Sequence, residues 1–128
     1  MAEEKNLENR LKKHLQKIGV YPAGFPENKM TVPAIGWYFK VFGGGYQKSG
    51  IPDMILQILG RFIAVELKAQ HGRPSELQIL NVHRIRDSGG DACFLYPSGY
   101  ERFWGDLING YWQIRDGKPF GKLDEVYK

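Results

Sequence analysis

Two carboxylates and an ammonium group, Asp53, Glu66 and Lys68, bracket the most regular stretch of this chain. Gly50-Ile51-Pro52-Asp53 leads into an apolar run, a Gly60-Arg61 turn, and then Ile63-Ala64-Val65-Glu66-Leu67-Lys68. Two runs rich in Ile, Leu, Val and Phe around a glycine-led turn predict a β-hairpin. A type II′ turn takes Gly at its first central position, so Gly60-Arg61 in that role sets Leu59 opposite Phe62. Counting back, Asp53 falls opposite Lys68 with Glu66 beside it. Strand side chains alternate with a period of two, so all three project from one face at one end of the hairpin. A slip of one residue sends Asp53 to the other face.

Both strands read as apolar on both faces, with Met54, Leu56 and Ile58 on one side and Ile55 and Leu59 on the other, the pattern of a sheet covered twice. Two carboxylates at the end of such a sheet repel each other and lose hydration unless a cation lies between them. A divalent ion satisfies both, and carboxylates at strand ends suit Mg²⁺ or Mn²⁺. Lys68 then supplies a point charge for a water or a phosphate oxygen. The plainer alternative is a surface Asp-Lys pair with a solvated Glu.

The elements that must position these groups fit in one domain, residues 1–128, because a second would be too small to hold a core. With 42% hydrophobic and 25% charged residues the composition is that of a globular protein. No apolar stretch approaches the roughly 20 residues of a membrane helix and the N-terminus is no signal peptide, so a soluble, cytoplasmic protein is expected. The single Cys93 lies in a strand-like run and reads as a buried thiol; neither an internal disulfide nor a cysteine-based metal site can form. A net charge of +4 leans towards a polyanionic partner.

Apolar residues at Leu7, Leu11, Leu15 and Ile18 predict an amphipathic helix over 7–18 stopped by Gly19. Glu8 falls at the edge of its apolar face, where it also reads as a favourable acidic residue of the first turn with Lys12 four residues on, and Lys5, Arg10, Lys12, Lys13 and Lys17 make the outer face basic. Residues 21–35, with three prolines, predict an irregular arm. Residues 37–42 predict a strand, and the glycine-led stretch after it, with Gly45, predicts a loop that lets a phosphate backbone approach, with Lys40 and Lys48 as contacts. Ser75 and Gln78 form a capping box for a helix to about Asp87, with Leu77, Leu80 and Arg84 inward and Gly89-Gly90 ending it. Residues 92–96 predict a strand. Ser98 starts a short last helix ending near Asn109-Gly110, and the tail from Tyr111 is expected to form at most a short strand and fray. The order α-β-β-β-α-β predicts an α/β fold, a mixed central sheet with helices on both faces.

The helix bearing Glu8, Gly50-Ile51-Pro52-Asp53, Val65-Glu66-Leu67-Lys68, Gly72 and Pro74-Ser75-Glu76-Leu77-Gln78 together resemble the PD-(D/E)XK nuclease superfamily, specifically its VRR-NUC branch. The likeness is greatest to small stand-alone phage and prophage members, and it spans about residues 5–98. It implies a restriction-endonuclease-like core and Mg²⁺- or Mn²⁺-dependent hydrolysis of DNA in a bacterial host cell. Asp53 and Glu66 are the implied metal ligands, with the backbone carbonyl of Leu67 as a candidate third. Lys68 is the implied residue on the attacking water, Glu8 the helix-borne carboxylate acting through metal-bound water, and Gln78 the supporting polar group. Arg73, in the same region, joins Lys40, Gly45 and Lys48 as a candidate DNA contact.

The branch is similar in core layout to Holliday junction resolvases, which implies branched DNA as substrate and a homodimer. The tail with Tyr111, Trp112 and Ile114, and the arm over 21–35, are the candidate dimer surfaces. Three other readings compete: a nicking or restriction-type nuclease on linear or flapped DNA, a non-catalytic DNA-binding accessory, and a structural module with an ion-paired sheet end. The intact Asp53, Glu66 and Lys68 argue against the accessory, since carboxylates facing phosphates weaken binding.

Overall fold

Leu7, Leu11 and Leu15 form a buried stripe at helical spacing, and the first helix, α1, is built on it over Ala2–Ile18. It starts a turn earlier than the apolar stripe requires because Glu3 and Glu4 suit the positive end of the helix dipole. The computed structural model describes residues 2–42, 50–118 and 122–128. Gly19 ends α1 at φ 96°, where a Cβ would meet the Pro33 carbonyl oxygen at 2.2 Å. The predicted loop residues Gly45 and Lys48 lie outside the described residues.

Among the described residues six strands form one mixed sheet in sequential order: β1 (Val20–Pro22), β2 (Gly36–Lys40), β3 (Met54–Ile58), β4 (Arg61–Leu67), β5 (Asp91–Leu95) and β6 (Val126–Tyr127). β2, β3 and β4 pair antiparallel; the outer pairs are parallel. Helix α2 (Glu76–Asp87) links β4 to β5, and α3 (Tyr100–Arg115) lies between β5 and β6. Alternation on the central strands assigns the faces. Ile63, Val65 and Leu67 of β4 and Cys93 and Leu95 of β5 share a core with α1 and α3. Ala64, Ala92 and Phe94 point the other way and pack with Val82 of α2.

The hairpin turn differs from the expected one. Leu59 and Gly60, both at positive φ, are the central residues, and Ile58 pairs with Arg61. That is the signature of a type I′ turn. The pairing moves by two residues, an even step, so every side chain keeps its face, and Asp53 now lies opposite Glu66 instead of Lys68, one step beyond the Met54–Val65 pair.

Other expectations also give way. The sheet is covered twice only at β4 and β5; on β3 Ile55 is half-buried and Gln57 exposed, and Trp37, Phe39 and Phe62 stand on the same open face. The arm contributes β1, an edge strand that tolerates Pro22, and it is fastened by the Tyr21 hydroxyl, which donates to the Val32 carbonyl at 2.8 Å. Leu77, Leu80 and Arg84 point outward. The inward face of α2 is Gln78, Val82 and Ile85, because the capping box fixes the helix start and turns Gln78 towards the sheet. Ser98 does not cap α3; it exchanges two hydrogen bonds with the Gln70 side chain. Helix α3 runs through Tyr111, Trp112 and Ile114 to Arg115. The tail ends in β6, which lies against Gly99, where a Cβ would sit 2.1 Å from the Tyr127 carbonyl carbon.

Asp91 holds this C-terminal segment from within. Fully buried, it accepts from the Leu123 N–H at 3.0 Å and faces the guanidinium groups of Arg61 and Arg86, each at 3.6 Å. Arg86 in turn donates to the carbonyls of Ala92 and Leu123. Asp91→Asn is expected to cost about 2 kcal/mol, the scale of a hydrogen bond to a charged group, read as a lower urea midpoint with an unchanged m-value. No helix among the described residues is long and apolar enough to cross a membrane.

Candidate active site

One end of the hairpin carries the predicted residues, and each has a distinct reason to be there. Pro52 and Asp53 enter β3 from Gly50, whose φ of 86° and close approach to α2 exclude a side chain. A Cβ there would lie 2.7 Å from the Leu77 carbonyl carbon and 2.9 Å from the Gln78 nitrogen. The Asn81 side chain donates to the Gly50 carbonyl at 2.9 Å, so the Gly-Ile-Pro-Asp segment and the start of α2 are locked together. Gly50→Ala should therefore cost about 2 kcal/mol through backbone strain and displace Gln78; a thermal melt checks the first and the Gln78 side-chain amide resonances the second.

Asp53 Oδ2 accepts from the Leu67 backbone N–H at 2.8 Å, which draws its carboxyl across the strand end to Glu66. Glu66 is 4% exposed. Its Oε2 accepts from Gln78 Nε2 at 3.0 Å, and its Oε1, also buried, has no donor to accept from and meets only the Asp53 carboxyl. Burial raises the Glu66 pKa first, then the charge of Asp53 and a hydrogen bond with it; Lys68 offsets only part, and the value moves from 4.5 to about 8. The orphaned oxygen and the facing carboxyls fit a hard divalent cation, which favours the charged form of both.

Gln78 ties the site to the helix. Its Oε1 accepts from the Ser75 backbone N–H at 2.9 Å, closing the capping box, and from Lys68 Nζ at 3.2 Å, while its amide nitrogen holds Glu66. One side chain thus spaces Glu66 from Lys68 and starts α2.

Glu8 stands on the other side of the sheet end. Residues Glu4, Lys5, Glu8, Lys40, Asp53 and Leu67 line one cleft of about 140 Å³. Glu8 is buried and surrounded by lysines: Oε2 lies 3.2 Å from Lys5 and 2.6 Å from Lys12, and Oε1 contacts Lys40. Burial alone would raise its pKa, but hydrogen bonds from Lys12, Lys40 and Lys5 outweigh it and hold the value at about 2. Lys40 thus points at Glu8. Arg73 is exposed between β4 and α2. Among the described residues no group of three or more His, Cys, Asp or Glu side chains gathers that could hold a metal ion.

The Glu8–Lys12 pair expected from the helix spacing forms, while sequence reasoning left Lys5 on a basic outer face and overlooked Glu4, which lines the cleft and adds to the rise at Glu66. The signal was present in the spacing: Glu4, Glu8 and Lys12 recur every four residues and share one side of α1. Cys93 is buried, and its burial pushes the thiol pKa well up, which makes it inert.

No family model matches this chain, and no curated protein or solved structure is significantly similar to it.

Proposed function

We propose that the chain is a divalent-metal-dependent DNA endonuclease with a PD-(D/E)XK core close to the VRR-NUC branch, acting on branched DNA such as four-way junctions. The observation that supports this reading is the buried Glu66 beside the half-buried Asp53, with Lys68 and Gln78 on the same face. A structural ion pair would not set a buried carboxylate oxygen, with no donor of its own, against a second carboxyl.

Asp53 and Glu66 would hold Mg²⁺ or Mn²⁺, with the Leu67 carbonyl as a further oxygen donor. When bound, such an ion lowers the pKa of a coordinated water and neutralises charge building on the phosphate. Lys68 orients the attacking water, and Gln78 keeps the Lys68 ammonium and the Glu66 carboxylate apart in fixed positions. The water oxygen gives up one proton as it bonds to phosphorus, the bond to the leaving sugar oxygen breaks, and that oxygen takes up one proton, so none is gained or lost overall. A symmetric junction calls for a second copy of the chain. The hollow between Ile18, Trp104, Ile108, Tyr111 and Trp112 is the candidate contact, since Trp112 is exposed on α3.

The test is cleavage of a labelled four-way junction beside a linear duplex, a flap and single strands, with Mg²⁺ or EDTA. Paired symmetric cuts near the branch, only with metal, support the reading. Cutting without junction preference keeps the nuclease and removes the resolvase. Binding with no cutting under any metal leaves the accessory protein.

A further inference from the structure

We propose that the open face of the sheet, floored by Trp37, Phe39 and Phe62, is a stacking platform for unpaired nucleobases, so that the DNA this chain binds carries a single-stranded segment. That the segment leads to the Asp53–Glu66 pair rests on the nuclease reading above; the stacking does not.

Trp37 and Phe39 alternate along β2, so both rings leave the same face, and the register sets Trp37 beside Gln57 of β3 and Gln57 beside Phe62 of β4. Trp37, Phe39 and Phe62 are 45%, 37% and 42% exposed, and the rings of Trp37 and Phe39 lie 5.2 Å apart. Two walls bound this floor. On one side α2 covers β4 and β5. On the other the arm lies over β1: Val20 joins the opposite core, which turns Tyr21 to this face, where its hydroxyl holds the backbone at Thr31 and Val32 and its ring stacks on Phe25. Neighbouring strands stand about 4.8 Å apart, so the floor of β2, β3 and the edge of β4 is on the order of 10 Å wide.

That width selects the occupant. A second copy cannot settle its own trough on this one, because a symmetric contact sets the same patch against itself and two recessed floors do not fill each other. The area agrees: at about 200 Å² per aromatic side chain the three rings expose about 250 Å², well short of the roughly 800 Å² that each partner of a stable pair buries. The bases of a duplex are stacked on one another and offer the rings no free face. An unpaired strand offers one at every base, and such stacking tolerates any sequence.

The polar groups at hand suit a nucleotide. The floor itself, with Ile55 and Gln57 between the rings, carries no charged side chain. Gln57 Oε1 accepts from the Gly60 N–H, which leaves its amide nitrogen to donate to a base edge. A hollow of about 310 Å³ opens beside the floor between Ile51, Pro52, Ile55, Arg84 and Ile85. Arg84 is exposed and makes no ion pair among the described residues, Asp87 one turn on included, so its guanidinium is available to a backbone phosphate. The arm adds one charge of each sign, Glu27 and Lys29. Asp53, Ile55 and Gln57 share a face of β3, so Phe39, opposite Ile55, stands one two-residue step of about 7 Å from the row of Asp53, and Trp37 stands two. A strand stacked on both rings leads to the carboxyl pair.

The test is equilibrium binding of a labelled oligothymidine and of a duplex of the same length to the full chain in EDTA. Trp37→Ala and Phe39→Ala are each expected to weaken single-strand binding about tenfold, the scale of one base stacked on one ring, while duplex affinity stays within about twofold and the slope of log K against log salt is unchanged. Trp37→Phe, which keeps a ring, should restore most of the affinity. Arg84→Gln should lower the single-strand slope by about 0.7. All four positions are exposed or on the open face, and circular dichroism checks that the variants fold.

Wild-type single-strand affinity in both alanine variants, or an equal loss for single strand and duplex, would overturn the platform. So would a wild-type dimer that light scattering shows to become a monomer in Trp37→Ala, since the face would then be an interface between copies. An unchanged slope in Arg84→Gln would overturn the phosphate contact assigned to it. Ring-dependent binding of the oligothymidine without cleavage under any metal would support the platform and remove the nuclease. Metal-dependent cleavage that is indifferent to the rings would keep the nuclease and overturn the platform.

Discussion

Glu66→Gln and Asp53→Asn are each expected to lower metal-dependent cleavage by at least about 10²-fold, the scale seen when one transition-state charge stabiliser is removed, while DNA binding in EDTA stays level or tightens. The two effects have one cause. Each substitution deletes a negative charge that the substrate phosphate must approach, which helps binding, and deletes an oxygen donor on which an ion depends, which stops the reaction. The stability effect has the opposite sign from that of most substitutions at buried positions. Glu66 is buried, its Oε1 has no donor to accept from, and it faces Asp53. A neutral amide of the same shape removes that repulsion and the desolvation of a charge, so the metal-free Glu66→Gln protein should melt at a higher temperature than wild type at pH 8. Parallel measurements of rate, DNA affinity and thermal midpoint check all three. Retained cleavage in either variant would remove the carboxyl pair from the reaction. A lower midpoint for Glu66→Gln would mean the carboxylate is needed for folding, and the nuclease reading would lose its main support.

The face on which Asp53, Glu66 and Lys68 meet was legible in the sequence although the turn was misread. Alternation along a strand depends only on parity, and the observed pairing differs from the expected one by two residues, so Asp53 changed its partner from Lys68 to Glu66 without changing sides. The Leu59 conformation could not be anticipated, because a leucine at φ 49° is disfavoured and is held here by a hydrogen bond from its N–H to the Ile35 carbonyl, a contact from a distant part of the chain. The phase of α2 failed for a related reason. Leu77 and Leu80 looked like the apolar face, but the capping box at Ser75 and the bonds of Gln78 to Glu66 and Lys68 rotate them outward. The last strand was invisible locally. Two residues carry no periodicity, and β6 exists because Asp91 fixes Leu123 and because Gly99 leaves room for Tyr127. For Glu8, helical spacing placed it at the edge of the apolar face of α1, but Lys40 comes from a strand 32 residues away and only the fold brings it in.

The metal-free protein should lose stability as pH rises from about 4.5 to about 8, and a divalent ion should restore most of it at the upper end. Glu66 has a raised value in the folded chain, so below 4.5 both the folded and unfolded forms carry the proton and no difference arises. Between 4.5 and 8 the unfolded chain releases the proton and the folded chain keeps it, so the folded state binds more protons and its stability falls with pH. Above 8 both are ionised and the loss levels off. An ion at Asp53 and Glu66 needs the charged form, so binding expels the Glu66 proton, and apparent Mn²⁺ affinity should rise by nearly tenfold per pH unit from about 5.5 to 8 and then flatten. At a hundredfold excess over Kd the ion stabilises by about 2.7 kcal/mol, which moves Tm by on the order of 10 °C for a chain of this length. Thermal melts from pH 5 to 9 in EDTA and in Mn²⁺ give the two curves, and calorimetry in buffers of different ionisation enthalpy counts the released proton. An affinity independent of pH would mean that Glu66 is not the group the ion displaces a proton from. A midpoint in EDTA that stays flat or climbs between 4.5 and 8 would show that the carboxyl pair carries no strain to be relieved, and with it would go the physical reason for placing a metal at this end of the sheet.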